Sequence, residues 1–324
     1  MEILHALTPY YEDVNLSNSR GVTPLILAAR EGHAQSVHFL LRFGAKVAMT
    51  DDHRMTAVHY SAKNGHSQCL MLLLHNSEDE AVVNMLDGQS RTALMLAASG
   101  NHLECIQILL KCGADPNILD KDSHSCLFRA VVNGQNSIVQ LLLSNNANVQ
   151  RSDVNGKTVL HLAAACGHLT CMQMIMSCMT DEEIRAEDNQ LCTALHWACY
   201  NGHANCVEYL IEKDIFKELH GNIFSPVHCA AFSGVERCLE AVCDRFGNDR
   251  CVRLLDALHR TPLHVAAVRG HSACARMLVA RGADTEAADA EGRTPLIAAA
   301  QAGHATVVGN VKCRFISSPI SRKT

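Results

Sequence analysis

The stretch TALHWACYNGHANCVEYL, residues 193–210, places His196, Cys199, His203 and Cys206 within eleven positions. Imidazoles and thiols at short spacing are the ligand types that hold zinc. A thiol beside an imidazole is also the pair from which a nucleophilic cysteine is built. Either chemistry requires the side chains to converge on one point, so the elements that carry them decide whether there is a centre at all.

The same residue types return at fixed intervals along the whole chain. The phrase RGVTPLILAAREGH at 20–33 recurs as RMTAVHYSAKNGH at 54–66, SRTALMLAASGNH at 90–102 and HSCLFRAVVNGQ at 124–135. It continues as GKTVLHLAAACGH at 156–168, CTALHWACYNGH at 192–203, FSPVHCAAFSG at 224–234, RTPLHVAAVRGH at 260–271 and RTPLIAAAQAGH at 293–304. Thr23, Thr56, Thr92, Ser125, Thr158, Thr193, Ser225, Thr261 and Thr294 mark nine copies spaced 32 to 36 residues apart. A period near 33 with a T-P-L-H-x-A phrase is the signature of the ankyrin repeat. The expected fold is therefore all-α, an ankyrin repeat solenoid of about nine helix-turn-helix repeats joined by hairpin-like loops.

Each position in the phrase has a physical reading. Thr or Ser caps a helix by accepting an orphan backbone N–H. Pro24, Pro226, Pro262 and Pro295 follow at the first helical position, where proline's missing donor costs nothing. Small residues beyond the cap allow close packing. Glycine nine positions after the cap ends the first helix in a left-handed turn, and an apolar second helix follows.

This periodicity settles the opening stretch. Histidine stands three after the cap at 59, 161, 196, 228 and 264, and ten after it at 33, 66, 102, 168, 203, 271 and 304. Cysteine stands thirteen after the cap at 69, 105, 171, 206, 238 and 274. Positions that repeat once per unit do not converge, so the histidines are expected to bond the turns that link units. The cysteines are expected to act as small buried hydrophobes, with no metal and no cofactor.

Composition agrees with a small-residue repeat fold. The chain of 324 residues is 48% apolar but only 4% aromatic, with a net charge of −5. That balance gives no basic stripe for nucleic acid, and no apolar run is long enough to insert in a membrane. The N-terminal residues do not read as a signal peptide. The 16 cysteines in a long chain then suggest reduced thiols. No phosphate loop, G-x-S-x-G elbow or HExxH appears, so the protein is expected not to be an enzyme. Residues 1–20 read as the tail of an incomplete repeat, 21–308 as the array, and 309–324 as a non-repeat basic tail expected to be disordered. The ends suggest a fragment or short form of a longer array. Where the spacing lengthens, the extra residues, NSEDEAVVNMLDG, TDEEIRAEDNQ and RFGNDRCVRLLDA, read as longer loops.

With no catalytic constellation, function is expected on the face lined by first helices and loop tips. Trp197 and Tyr200 stand four and seven after one cap, and Phe232 stands seven after the next. Leu191, Phe224 and Leu258 lie at or beside nearby loop tips, and Arg129, Arg260 and Arg269 are expected to rim the patch. Such an aromatic cluster would suit a protein hot spot; packing of the same rings into gaps between first helices is the alternative.

Three phrases carry a closer resemblance: VNMLDGQSRTALMLA at 83–97, DNQLCTALHWACYNGHANCVEYLIE at 188–212 and GNIFSPVHCA at 221–230. They resemble the serine/threonine-protein phosphatase 6 regulatory ankyrin repeat subunits, in the same order, over roughly residues 20–308. The resemblance implies a non-catalytic scaffold whose partners are the phosphatase 6 catalytic subunit and a SAPS-domain regulatory subunit, in the cytoplasm and also the nucleus. The alternative is a general ankyrin adaptor, either a membrane-skeleton linker or a ubiquitin-ligase substrate receptor.

Overall fold

The structure is a computed structural model that describes residues 13–77, 79–216 and 224–305. The basic tail and most of the incomplete first repeat lie outside the described residues. Two compact units, residues 1–154 and 155–324, divide the chain.

Each Thr or Ser anchor opens a short helix, as the repeat reading predicts. In the first unit these helices are Pro24–Arg30, Ala57–Lys63, Ala93–Ser99 and Cys126–Val132. In the second they are Val159–Cys166, Ala194–Tyr200, Pro226–Ser233, Pro262–Arg269 and Pro295–Gln301. Helices of seven or eight residues are too short to persist alone. Packing sustains them: within each unit every first helix lies against the next first helix, and every described second helix against the next second helix. The second helices are Ala34–Arg42, Ser67–His75, Leu103–Lys111 and Asn136–Ser144, then Leu169–Met176, Ala204–Glu212, Glu236–Phe246 and Ser272–Ala280. The described residues contain no β-strand, so the chain is an all-helical ankyrin repeat solenoid.

Small residues make this stacking possible. Ala29, Ala62, Ala97, Ala130, Ala163, Ala198, Ala231 and Ala267 are fully buried, and each of their helices also buries a Leu or Val near its start. Within each unit, the turn after several of the first helices joins repeats through two linked features. Gly270 takes a left-handed φ of 77°, and a side chain there would place its Cβ 2.7 Å from the ring of His304. That histidine, ten after its own cap, pairs through Nε2 with the Val268 carbonyl of the preceding repeat at 3.0 Å. His66, His102, His203 and His271 do the same with the carbonyls of Arg30, Lys63, Ala165 and Phe232. In the third copy Asn101 takes the left-handed position, with φ 58°, which asparagine tolerates better than most residues.

Two expectations need correction. Ser125 makes no capping bond, and its buried hydroxyl has no partner. The three longer connections are also more than loops. They fold into a 3₁₀ helix at Glu80–Asn84 and α-helices at Asp181–Ile184 and Asn248–Arg253. These turns bury Val82 and Val83, Ile184, and Cys251 and Val252, so the extra residues enlarge the core.

Candidate protein-docking face

The four residues of the opening stretch do not form a centre. His196 is buried, and its Nδ1 accepts the Thr193 N–H at 3.1 Å and meets the Thr193 hydroxyl at 2.9 Å. His203 is turned to the Ala165 carbonyl. Cys199 and Cys206 are buried, and burial pushes the Cys206 thiol up to about 11 and Cys199 well above the ordinary thiol range. A thiol held protonated is a poor ligand and a poor nucleophile. Among the described residues one cluster, Asp120, Asp122 and His124, brings metal-ligand atoms together. Asp120 is already committed there: Oδ1 accepts the N–H groups of Asp122 and His124, and Oδ2 takes Arg129.

That aspartate belongs to a row that the pattern of caps and helices does not announce. Asp51, Asp87, Asp120, Asp188, Asp256 and Asp289 stand five before their caps and are all buried. In each, Oδ1 accepts the backbone N–H groups two and four residues on; for Asp188 these are Gln190 and Cys192 at 2.8 and 3.0 Å. Oδ2 takes one side-chain donor. Arg91, Arg260 and Arg293 supply it from just before the cap. Tyr60, Arg129 and Trp197 supply it from four residues after the cap. Burial alone would raise the Asp87, Asp188 and Asp289 carboxyls, but these donors outweigh it and hold them below the usual carboxylate range.

The row explains several candidate residues. Arg129 is bound to Asp120 within the first unit, and Arg260 to Asp256 at 2.7 Å; both lock their own hairpins. The Trp197 indole N–H donates to Asp188 Oδ2 at 2.9 Å, so Trp197 is half anchor and half surface. Around it the second unit brings together a continuous aromatic row. Trp197 meets Tyr200 edge-on at 6.2 Å, Tyr200 stacks on Phe232 at 4.8 Å, and Phe224 meets Phe232 edge-on at 6.3 Å. The Lys157 ammonium lies 3.7 Å from the Trp197 ring centre, and the Arg269 guanidinium 4.3 Å from that of Phe232. Tyr200 keeps 41% of its surface exposed. Leu191 and Leu258 stand more than half exposed at their hairpins, and Leu191 has a left-handed φ of 59°. The rings therefore fill space between first helices while Tyr200 also faces solvent.

A helical repeat array with an exposed aromatic row, and with no convergent reactive cluster among its described residues, has the form of a protein-recognition module. The chain belongs to the ankyrin repeat family: the family profile, described as ankyrin repeats in three copies, matches residues 1–87, 79–153, 127–220, 160–250 and 217–311. Similar curated proteins include a putative E3 ubiquitin-protein ligase, XBAT31, of Arabidopsis thaliana. It is 35% identical over 83 residues, 25% of this chain and 18% of the ligase. The human transient receptor potential cation channel subfamily A member 1 is 31% identical over 105 residues, 32% of this chain and 9% of the channel. The ankyrin repeat protein nuc-2 of Neurospora crassa is 35% identical over 81 residues, 25% of this chain and 8% of that protein. The matches thus cover under a fifth of each relative. No described helix is long and apolar enough to cross a membrane.

Proposed function

We propose that the protein is a non-catalytic scaffold that regulates a protein phosphatase 6 holoenzyme, engaging the catalytic subunit and a SAPS-domain subunit in the cytoplasm and nucleus. The resemblance of the phrases at 83–97, 188–212 and 221–230 supports the phosphatase reading. The observation that supports docking is the row Trp197, Tyr200 and Phe232, with Leu191, Phe224, Leu258 and Arg269 around it. Exposed rings backed by a rigid framework are the usual hot-spot chemistry. Affinity capture with this chain as bait tests the reading. Recovery of both phosphatase subunits, lost when Trp197→Ala and Tyr200→Ala are combined in a folded chain, is expected. Capture of other proteins without the phosphatase would favour a ubiquitin-ligase substrate receptor, the reading that the plant relatives support.

A further inference from the structure

Within the second unit, the aromatic row borders a cleft of about 320 Å³ lined by Trp197, Tyr200, Phe224, Cys192, Cys229 and His196. Gln190 is the polar side chain in an otherwise largely apolar lining, and His196 in that lining carries a polar atom without a partner. His196 Nε2 is buried and makes no hydrogen bond. Because Nδ1 accepts the Thr193 N–H, the neutral ring must carry its proton on Nε2. The unmatched atom is therefore a donor.

The sister repeats show what that donor ordinarily meets. His161, His228 and His264, also three after their caps, pair through Nε2 with the carbonyls of Cys192, Arg260 and Arg293, each just before the next cap. The matching carbonyl for His196 is that of Phe224, which instead accepts the Cys229 thiol at 3.6 Å. This repeat also carries His220 where its neighbours carry the turn-forming aspartate. His196 Nε2 thus lacks the carbonyl that His161, His228 and His264 have, and a buried donor left unmatched costs about 1–3 kcal/mol.

Charge narrows the occupant. The carboxylates of Asp188 and Asp256 are consumed by their own turns and by Trp197 and Arg260. Cations stand at both ends of the row, Lys157 over Trp197 and Arg269 over Phe232, and Arg269 has no ion pair among the described residues. We propose that this cleft binds an extended acidic peptide segment of a partner protein. One aliphatic side chain lies between Trp197, Tyr200 and Phe224, and a peptide carbonyl accepts the His196 Nε2 hydrogen. This specifies the docking mode within the scaffold reading above and rests on it.

Trp197 is the only tryptophan, so its fluorescence reports the cleft directly. The full chain is titrated with a capped decapeptide bearing one central leucine among aspartates and glutamates, and with its lysine-flanked and alanine-centred counterparts. Saturable change with the acidic leucine peptide, at least ten-fold weaker for both counterparts, is expected. His196→Met removes the donor at a position where sister repeats carry Ile26, Met95, Phe128 and Ile297, and should weaken binding about ten-fold. Cys229→Leu, a residue its slot accepts at Leu27, Leu96 and Leu162, should fill the cleft and abolish binding, and it serves if His196→Met does not fold. No saturable change, equal binding of the lysine-flanked peptide, or full affinity in folded Cys229→Leu would each overturn the proposal. Phosphatase capture undiminished by Cys229→Leu would overturn the cleft alone and leave the scaffold reading standing.

Discussion

Asp188 shows how much one loop residue carries. It accepts two backbone N–H groups and the Trp197 indole, so Asp188→Ala strands three donors at once. At about 1 kcal/mol or more per stranded donor, the variant should lose about 3 kcal/mol in urea denaturation. Its Trp197 emission should shift to the red as the indole loosens, whereas Asp188→Asn, which keeps acceptor capacity, should lose less. Leu191 makes the opposite case. Its left-handed backbone is occupied by Gly21, Gly156 and Gly292 in sister repeats, and a side chain there costs about 1–2 kcal/mol. Glycine adds disorder to the unfolded chain, so Leu191→Gly should gain only about 0.5 kcal/mol. Arg54, Ser90, Ser123 and His259 share that left-handed position in other repeats, so the strain belongs to the turn, and it is exposure that puts Leu191 on the proposed docking face. The stabilised variant should therefore capture its partner less well, and undiminished capture would remove Leu191 from the docking face.

At the scale of the element, the turn after several of the first helices couples backbone conformation to the neighbouring repeat. Gly270→Ala meets both a positive φ and the His304 ring, while Gly282, with φ 93°, has nothing within 4 Å of its Cβ position. Gly270→Ala should cost more than Gly282→Ala by the worth of the displaced His304 bond, about 1 kcal/mol. Faster amide exchange in Pro295–Gln301 would locate the damage, and equal costs would mean that the ring moves aside freely. These turns were legible because the chain repeats them: a cap opens all nine copies, glycine stands nine after it in eight, histidine ten after it in seven and proline directly after it in four. The aspartates five before the caps recur almost as regularly, yet a loop read as a connector hides them, since the donors they accept from are backbone N–H groups that no residue type announces. The helices Asp181–Ile184 and Asn248–Arg253 escaped because four to six residues hold too little period. The contact of Trp197, Tyr200 and Phe232 follows from their offsets alone. Arg129 and Arg260 were read as surface cations because nothing in their own positions shows that a buried carboxylate is waiting for each.

Across the whole molecule, buried titratable groups are distributed unevenly, and acid should reveal it. Burial lowers His59, His161, His196, His228 and His264, with His196 reaching about 4. The unfolded chain titrates these imidazoles near 6.5. Between that value and the depressed folded one, it binds more protons than the folded chain. Their stability contribution is therefore complete above about pH 6.5 and is lost as pH falls toward the folded values. For His196 the loss is on the order of 3 kcal/mol. The carboxylates of Asp87, Asp188 and Asp289, held low in the folded state, add a second loss below the ordinary carboxylate range. Four of the five histidines lie in the second unit and one in the first. Repeat arrays need not unfold as a single cooperative block, so acid should open the second unit first. Hydrogen exchange compared at pH 7.5 and 5, after correction for intrinsic rates, should show helices between Val159 and Arg269 losing protection before those between Ala57 and Val132. His196→Met should then restore part of the second unit's protection at pH 5. Loss that begins in the first unit, or that His196→Met leaves unchanged, would mean that the buried imidazoles do not set the acid limit of this fold.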